Sequence, residues 1–193
     1  PNVHRYGDCT MSTLAVNTIT SETGNTVSLA SGKTLNASQG FIPPVGHVIQ
    51  TLTTGTIAAS QNTSSNWAST NFTLNITPTS SSSKIYFAVS GHVRIAGSGS
   101  PIRGGIRVRR EINGGSAVYV WNSAGNVETM QVRDASNEHD TPIYLGALDS
   151  PNTTGLVTYT VQSKIHSSGL SGAFINHYES AAGGGIVLME IAG

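Results

Sequence analysis

The sequence predicts an all-β protein: a short N-terminal β-repeat stalk followed by an antiparallel jelly-roll or β-sandwich head. Three observations predict it. No segment carries an i, i+3, i+4, i+7 apolar stripe, and Gly, Pro or Ser/Thr clusters interrupt every window of helix length. Lys84–Ile95 and Gly105–Ile112 alternate apolar and polar residues with period two, as strands buried on one face do. Charged residues make up only 10% of the 193, against roughly 25% in an average soluble domain. Ser, Thr, Asn and Gly, the residues of turns and short strands, take their place.

Residues 1–46 read as an attachment arm and stalk. Gly24, Gly32 and Gly40 are spaced eight apart, as are Thr18, Thr26 and Thr34, each followed by an aliphatic anchor: Ile19, Val27 and Leu35. One aliphatic residue per octad cannot bury a core within a single chain, so such a repeat needs a neighbour, either another copy or a larger host structure. A hairpin with chance spacing is the alternative. Phe41-Ile42-Pro43-Pro44-Val45-Gly46 breaks the repeat. Its two prolines forbid helix and central strand, which puts the boundary between stalk and head there.

Residues 47–193 read as the head. His47–Ile57 and Asn71–Ile76 are expected strands, separated by a polar loop, Ala58–Thr70, whose one bulky residue is Trp67. In Lys84–Ile95, Ile85, Phe87, Val89, Val93 and Ile95 face inward. In Gly105–Ile112, Ile106, Val108 and Ile112 do so, with Arg107, Arg109 and Glu111 outward. Asn113-Gly114-Gly115 is a tight-turn signal. Ser116–Trp121, Thr141–Leu145, Leu156–Ile165 and Gly185–Ile191 complete a set of about eight strands, suited to a two-sheet jelly roll or sandwich.

Composition excludes several functions. Ten Lys and Arg balance ten Asp and Glu, so the chain exerts no long-range pull on nucleic acid or an acidic membrane. Cys9 is the only cysteine, which rules out an intrachain disulfide and a thiolate metal cluster. No apolar run approaches the ~18–20 residues of a membrane helix, and Pro1–Thr10 lacks a signal-peptide core. A soluble protein made in the cytoplasm is the expectation.

Met11–Ile19, Phe41–Gln50, Ser83–Ser90 and the closing Gly184–Gly193, with its Met189-Glu190-Ile191, resemble tail-fibre and virion structural proteins of marine and cyanobacterial bacteriophages. The resemblance implies a homotrimeric β-structured head, similar in outline to the jelly rolls of the tumour necrosis factor and complement superfamily. It also implies residence in the virion, attachment of residues 1–40 to other tail or capsid proteins, and binding to a host-surface glycan or protein. Some phage fibre tips hold a metal through His-x-His, a spacing that none of the six histidines here has.

No catalytic residue, cofactor or metal ligand is indicated. Asp134, Glu138, His139 and Asp140 form the densest titratable cluster. Their oxygens would suit a hard cation such as calcium, but the order and turn glycine of an EF-hand are missing, and a solvated loop is the simpler reading. The most uneven feature is arginine: Arg94, Arg103, Arg107, Arg109 and Arg110 fall within seventeen residues. They could form an anion or glycan site, or a subunit contact, gripping carboxylates bidentately. Pairing with Glu111 and Glu128 is the bland alternative. Tyr86, Tyr119, Trp121 and Tyr144 could offer sugar-stacking faces or simply fill the core. The functional expectation is a short trimeric tail fibre whose head binds the host surface. A capsid decoration, cement or head-fibre protein is the alternative, and a polysaccharide depolymerase a further one.

Overall fold

The computed structural model describes Ser31 and residues 43–97, 102–121, 130–132, 138–165, 170–175 and 184–193. Contacts divide the chain into two units, Pro1–Phe41 and Ile42–Gly193; the fold below is that of the second. The octad anchors Ile19, Val27 and Leu35 lie outside the described residues.

Eleven strands are found among the described residues: β1 Val48–Thr53, β2 Ser60–Asn62, β3 Ala68–Ile76, β4 Lys84–Gly97, β5 Ile102–Ile112, β6 Val118–Trp121, β7 Met130–Val132, β8 Glu138–Asp149, β9 Val157–Ile165, β10 Leu170–Ile175 and β11 Gly185–Ile191. They form two antiparallel sheets. In the first, the order is β1-β11-β4-β8, with β10 and β2 continuing from the far half of β4. In the second it is β3-β9-β5-β6, with β7 on the end of β5. The chain passes repeatedly from one sheet to the other (β3 to β4, β4 to β5, β7 to β8, β8 to β9, β9 to β10), a jelly-roll-like arrangement.

Alternation in the sequence becomes the core. Ile85, Phe87, Val89, Val93 and Ile95 of β4 are all buried, with Ile186 and Leu188 of β11 beside them. Phe72, Ile76, Ile106, Val108, Val157, Tyr159 and Val161 face them from the second sheet. The Phe87 and Tyr159 rings lie 5.7 Å apart between the layers. Each fully buried aliphatic or Phe side chain of this kind contributes ~1.5–3 kcal/mol. Gly104 lets the layers approach closely, since a Cβ there would stand 2.8 Å from Ile95 Cδ1. The expected tight turn is present: Asn113 and Gly114 take φ of 50° and 70°, and Gly115 N–H donates to the Ile112 carbonyl at 2.9 Å.

Several boundaries differ from the sequence reading. The expected loop Ala58–Thr70 contains β2 and the start of β3, and β7 and β10 carried no strand signal. β8 is twelve residues rather than five, and takes Glu138, His139 and Asp140 out of the expected solvated loop into a ladder with Ala96, Ile95 and Arg94. The reason is backbone, not side chain: β4 runs fourteen residues, and its whole outer edge offers β8 ladder partners without a register shift. β9 lacks clean alternation of burial because it is central, flanked by β3 and β5, and its outward residues are roofed by long side chains.

The C-terminal strand also closes one end of the sandwich. Glu190 is fully buried. It accepts hydrogen bonds from Gln50 Nε2 at 2.6 Å and from the Thr79 N–H and hydroxyl, both at 2.7 Å. Burial alone would raise its pKa, but the bonds from Gln50 and Thr79 outweigh it and hold the carboxyl below its ordinary value. Backbone bonds Gly46 N–H to Ala192 O and Ala192 N–H to His47 O, both 2.8 Å, fasten the entry of the head to its exit.

Candidate interaction surfaces

The five clustered arginines do not converge on one patch. Arg94 is on β4, in the first sheet, opposite Asp140 of β8. Arg103, Arg107 and Arg109 share the outward face of β5 in the second sheet. Arg110, one residue further, turns to the opposite face, where Nη1 donates to both Asp149 carboxylate oxygens at 2.8 Å. Tyr159 Oη donates to the same carboxylate at 2.7 Å. Burial, and then this bond to Asp149, push the Tyr159 phenol far above its ordinary pKa. Arg110 is therefore structural, tying β5, β8 and β9 at the rim of the core. The expected pairing with Glu111 exists, from Arg109 at 3.4 Å; Glu128 lies outside the described residues.

Arg107 is the best-defined cation of the group. Its guanidinium is stacked between two rings, with its central carbon 4.3 Å from the Trp67 centroid and 3.8 Å from that of Tyr119. Its Nε donates to Gln162 Oε1 at 2.7 Å. Only 8% of Arg107 is exposed, and burial lowers its pKa, with Tyr119 pulling the other way and Arg109 adding to the fall. Lys164 Nζ sits 4.9 Å from the Trp67 centroid. Ladder register explains the assembly: Arg107 is opposite Gln162 and Arg109 opposite Tyr119. Ser69 of β3 is opposite Gln162 on its other side. The sequence reading missed Trp67, Gln162 and Lys164, because the contacts that join them to Arg107 span forty residues or more.

The outward face of the first sheet has the opposite character. Thr51 and Thr53 of β1, Val187 and Met189 of β11, Tyr86, Ala88 and Ser90 of β4, and Tyr144, Gly146 and Leu148 of β8 share it by register. None of these is charged. Lys84 stands at one end of it, and His92 and the Arg94–Asp140 pair at the other. Tyr144 is 70% and Leu148 54% exposed. Of the aromatics considered for sugar stacking, Tyr86 and Tyr144 are joined hydroxyl to hydroxyl at 3.0 Å on this face. Trp121 instead packs against the core.

Among the described residues no group of three or more His, Cys, Asp or Glu side chains comes together. An open groove of about 290 Å³ between Thr53–Thr56 and Gly184–Val187 is lined by no titratable side chain. No helix among the described residues is long and apolar enough to cross a membrane.

No protein-family model matches this chain, and no curated protein does. Solved structures do. The Gx strain of infectious bursal disease virus aligns over 75% of this chain and 32% of its own, at 13% identity and a TM-score of 0.39. The Gt strain covers 86% and 42%, at 11% identity and 0.34. The VP2 subviral particle of the same virus covers 86% and 45%, at 11% identity and 0.32. The chain thus spans less than half the length of each. The structures found are of a virus and of its VP2 particle, none of them a bacteriophage fibre, so the tail-fibre resemblance and the host-attachment role drawn from it are withdrawn.

Proposed function

We propose that this chain is a non-enzymatic structural protein of a virus particle, a shell or shell-attached subunit that works by self-association. The observation that carries the reading is the contrast between the two outward faces of the sandwich. One is uncharged across four strands and exposes Tyr144 and Leu148; the other holds Arg103, Arg107, Arg109 and Lys164. An uncharged, partly apolar face suits burial against another copy, whereas a charged face suits solvent or a ligand. Zero formal net charge adds no long-range repulsion between copies. A closed three-fold assembly, with residues 1–40 reaching a neighbour or another particle protein, is the finer form of the reading.

The test is the mass of the whole chain by light scattering. A trimer, three times the 20.0 kDa chain, is the expected species. Val187→Glu and Leu148→Lys, each placing a charge in the uncharged face, should weaken it at least tenfold while the circular dichroism stays that of a folded β protein. A chain that is monomeric at every concentration refutes the reading.

A further inference from the structure

We infer that the outward face of the second sheet is a binding site for a carboxylate-bearing polysaccharide, centred on Arg107 between Trp67 and Tyr119. It rests on the proposed function only in that self-association through the first sheet leaves this face displayed.

The argument starts from charge. Arg103, Arg107, Arg109 and Lys164 lie on this one face, and Glu111 is its one acid among the described residues. Four of the ten cations in a chain of zero net charge are thus gathered on one side of one sheet. Arg109 and Glu111 answer each other. The groups that hold Arg107 are all neutral: an amide oxygen and two rings.

Stacking then fixes geometry. Two rings with centroids 4.3 and 3.8 Å from its central carbon confine the guanidinium, and the Nε bond to Gln162 restricts its rotation. A planar fork held in this way loses little freedom when a carboxylate meets its terminal N–H groups side by side. Because burial has already stripped most of its water, the cation gains more from an anion than a solvated arginine would.

The surroundings favour sugar over peptide. Ser69, Thr73 and Asn75 stand exposed on the neighbouring strand of the same face, offering hydroxyl and amide partners. Tyr119 is 38% exposed, leaving ring surface beyond the part that Arg107 covers. Hydroxyls, an amide, an aromatic surface and a held guanidinium together match an acidic pyranose, with carboxylate on Arg107, ring carbons on Tyr119 and hydroxyls on the β3 edge.

The site carries its own reporter. The chain has two tryptophans, so Trp121→Phe leaves Trp67 as the sole indole, in contact with Arg107. Titrating that variant of the full chain with trigalacturonate should change the Trp67 fluorescence saturably, and neutral trigalactose should not. Arg107→Gln should weaken binding at least tenfold, and raising salt should weaken it in the parent. Ser69→Glu, which puts a competing carboxylate at the exposed edge without removing a buried group, should also weaken it and guards against a fold defect in Arg107→Gln. The assignment is overturned by any of three results: no Trp67 response to trigalacturonate, equal binding by parent and both variants, or tighter binding of hexaglutamate, the carboxylate-free dextran sulfate or single-stranded DNA. None of these bears on the oligomer mass, so this inference and the self-association reading fail separately.

Discussion

Asp149 offers the sharpest test of how the rim of the sandwich is held. It accepts two hydrogen bonds from Arg110 Nη1 and one from Tyr159 Oη, all between 2.7 and 2.8 Å. The side chains of Arg110 and Asp149 are only 12% and 11% exposed. Asp149→Ala therefore strands a nearly buried cation and a buried phenol at once. Breaking a buried ion pair from one side costs ~3–5 kcal/mol; the residual exposure of both partners argues for the lower end, about 3 kcal/mol. Tyr159→Phe removes one bond to a charged acceptor and leaves the ion pair intact, so ~1.5–3 kcal/mol is its range. Urea unfolding read by circular dichroism measures both, as a fall in midpoint at unchanged slope. The pair also predicts pH behaviour. The folded pKa of Tyr159 is raised, so its contribution is complete below the unfolded value near 10 and declines as pH rises beyond it. Tyr159→Phe should abolish that alkaline decline. An Asp149→Ala cost under 1 kcal/mol would refute the idea that this network holds β5, β8 and β9 together.

Two further predictions concern the closed end and the close approach of the layers. Glu190 has a lowered folded pKa, so its stabilisation is complete above about pH 4.5 and is lost as pH falls below it through the folded pKa. Glu190→Gln should cost ~2–3 kcal/mol at pH 7, through lost charge-assisted bonds, and should flatten the acid limb of stability measured by urea titration from pH 3 to 7. Gly104→Ala should cost ~1–3 kcal/mol of overpacking, because its Cβ would press on Ile95 from 2.8 Å inside the core; thermal unfolding reads this directly.

The sequence carried the core better than the surfaces. β4 and β11 were legible because each buries one face only, and period-two alternation survives in such strands. The sequence reading groups Arg110 with the outward arginines, and its ion pair with Asp149 is out of reach because the expected strand stops at Leu145, four residues short of that acid. Local chemistry fixed the Asn113-Gly114 turn. Three-residue strands such as β2 and β7 have no periodicity to show, and β9 hides its own by being covered on both faces. The Arg107 stack was not legible at all: Trp67 sits in a polar stretch, and only the register of β3, β9, β5 and β6 brings it over the cation.

The outer flank of β8 ties the solubility of this protein to its assembly. Among the described residues the strand pairs with β4 alone, so twelve residues run in unbroken register along the sheet margin with one side of their backbone unladdered. Ile143–Leu148 contains no charge and no proline, the composition that templates growth of one sheet onto the next. Pro142 interrupts that template near one end, and Asp149, neutralised by Arg110, gives little repulsion at the other. A head made faster than it finds its proper neighbours would therefore present a ready seam for disordered stacking, and dilution or co-expression of neighbours should recover protein that crowding sends into aggregates.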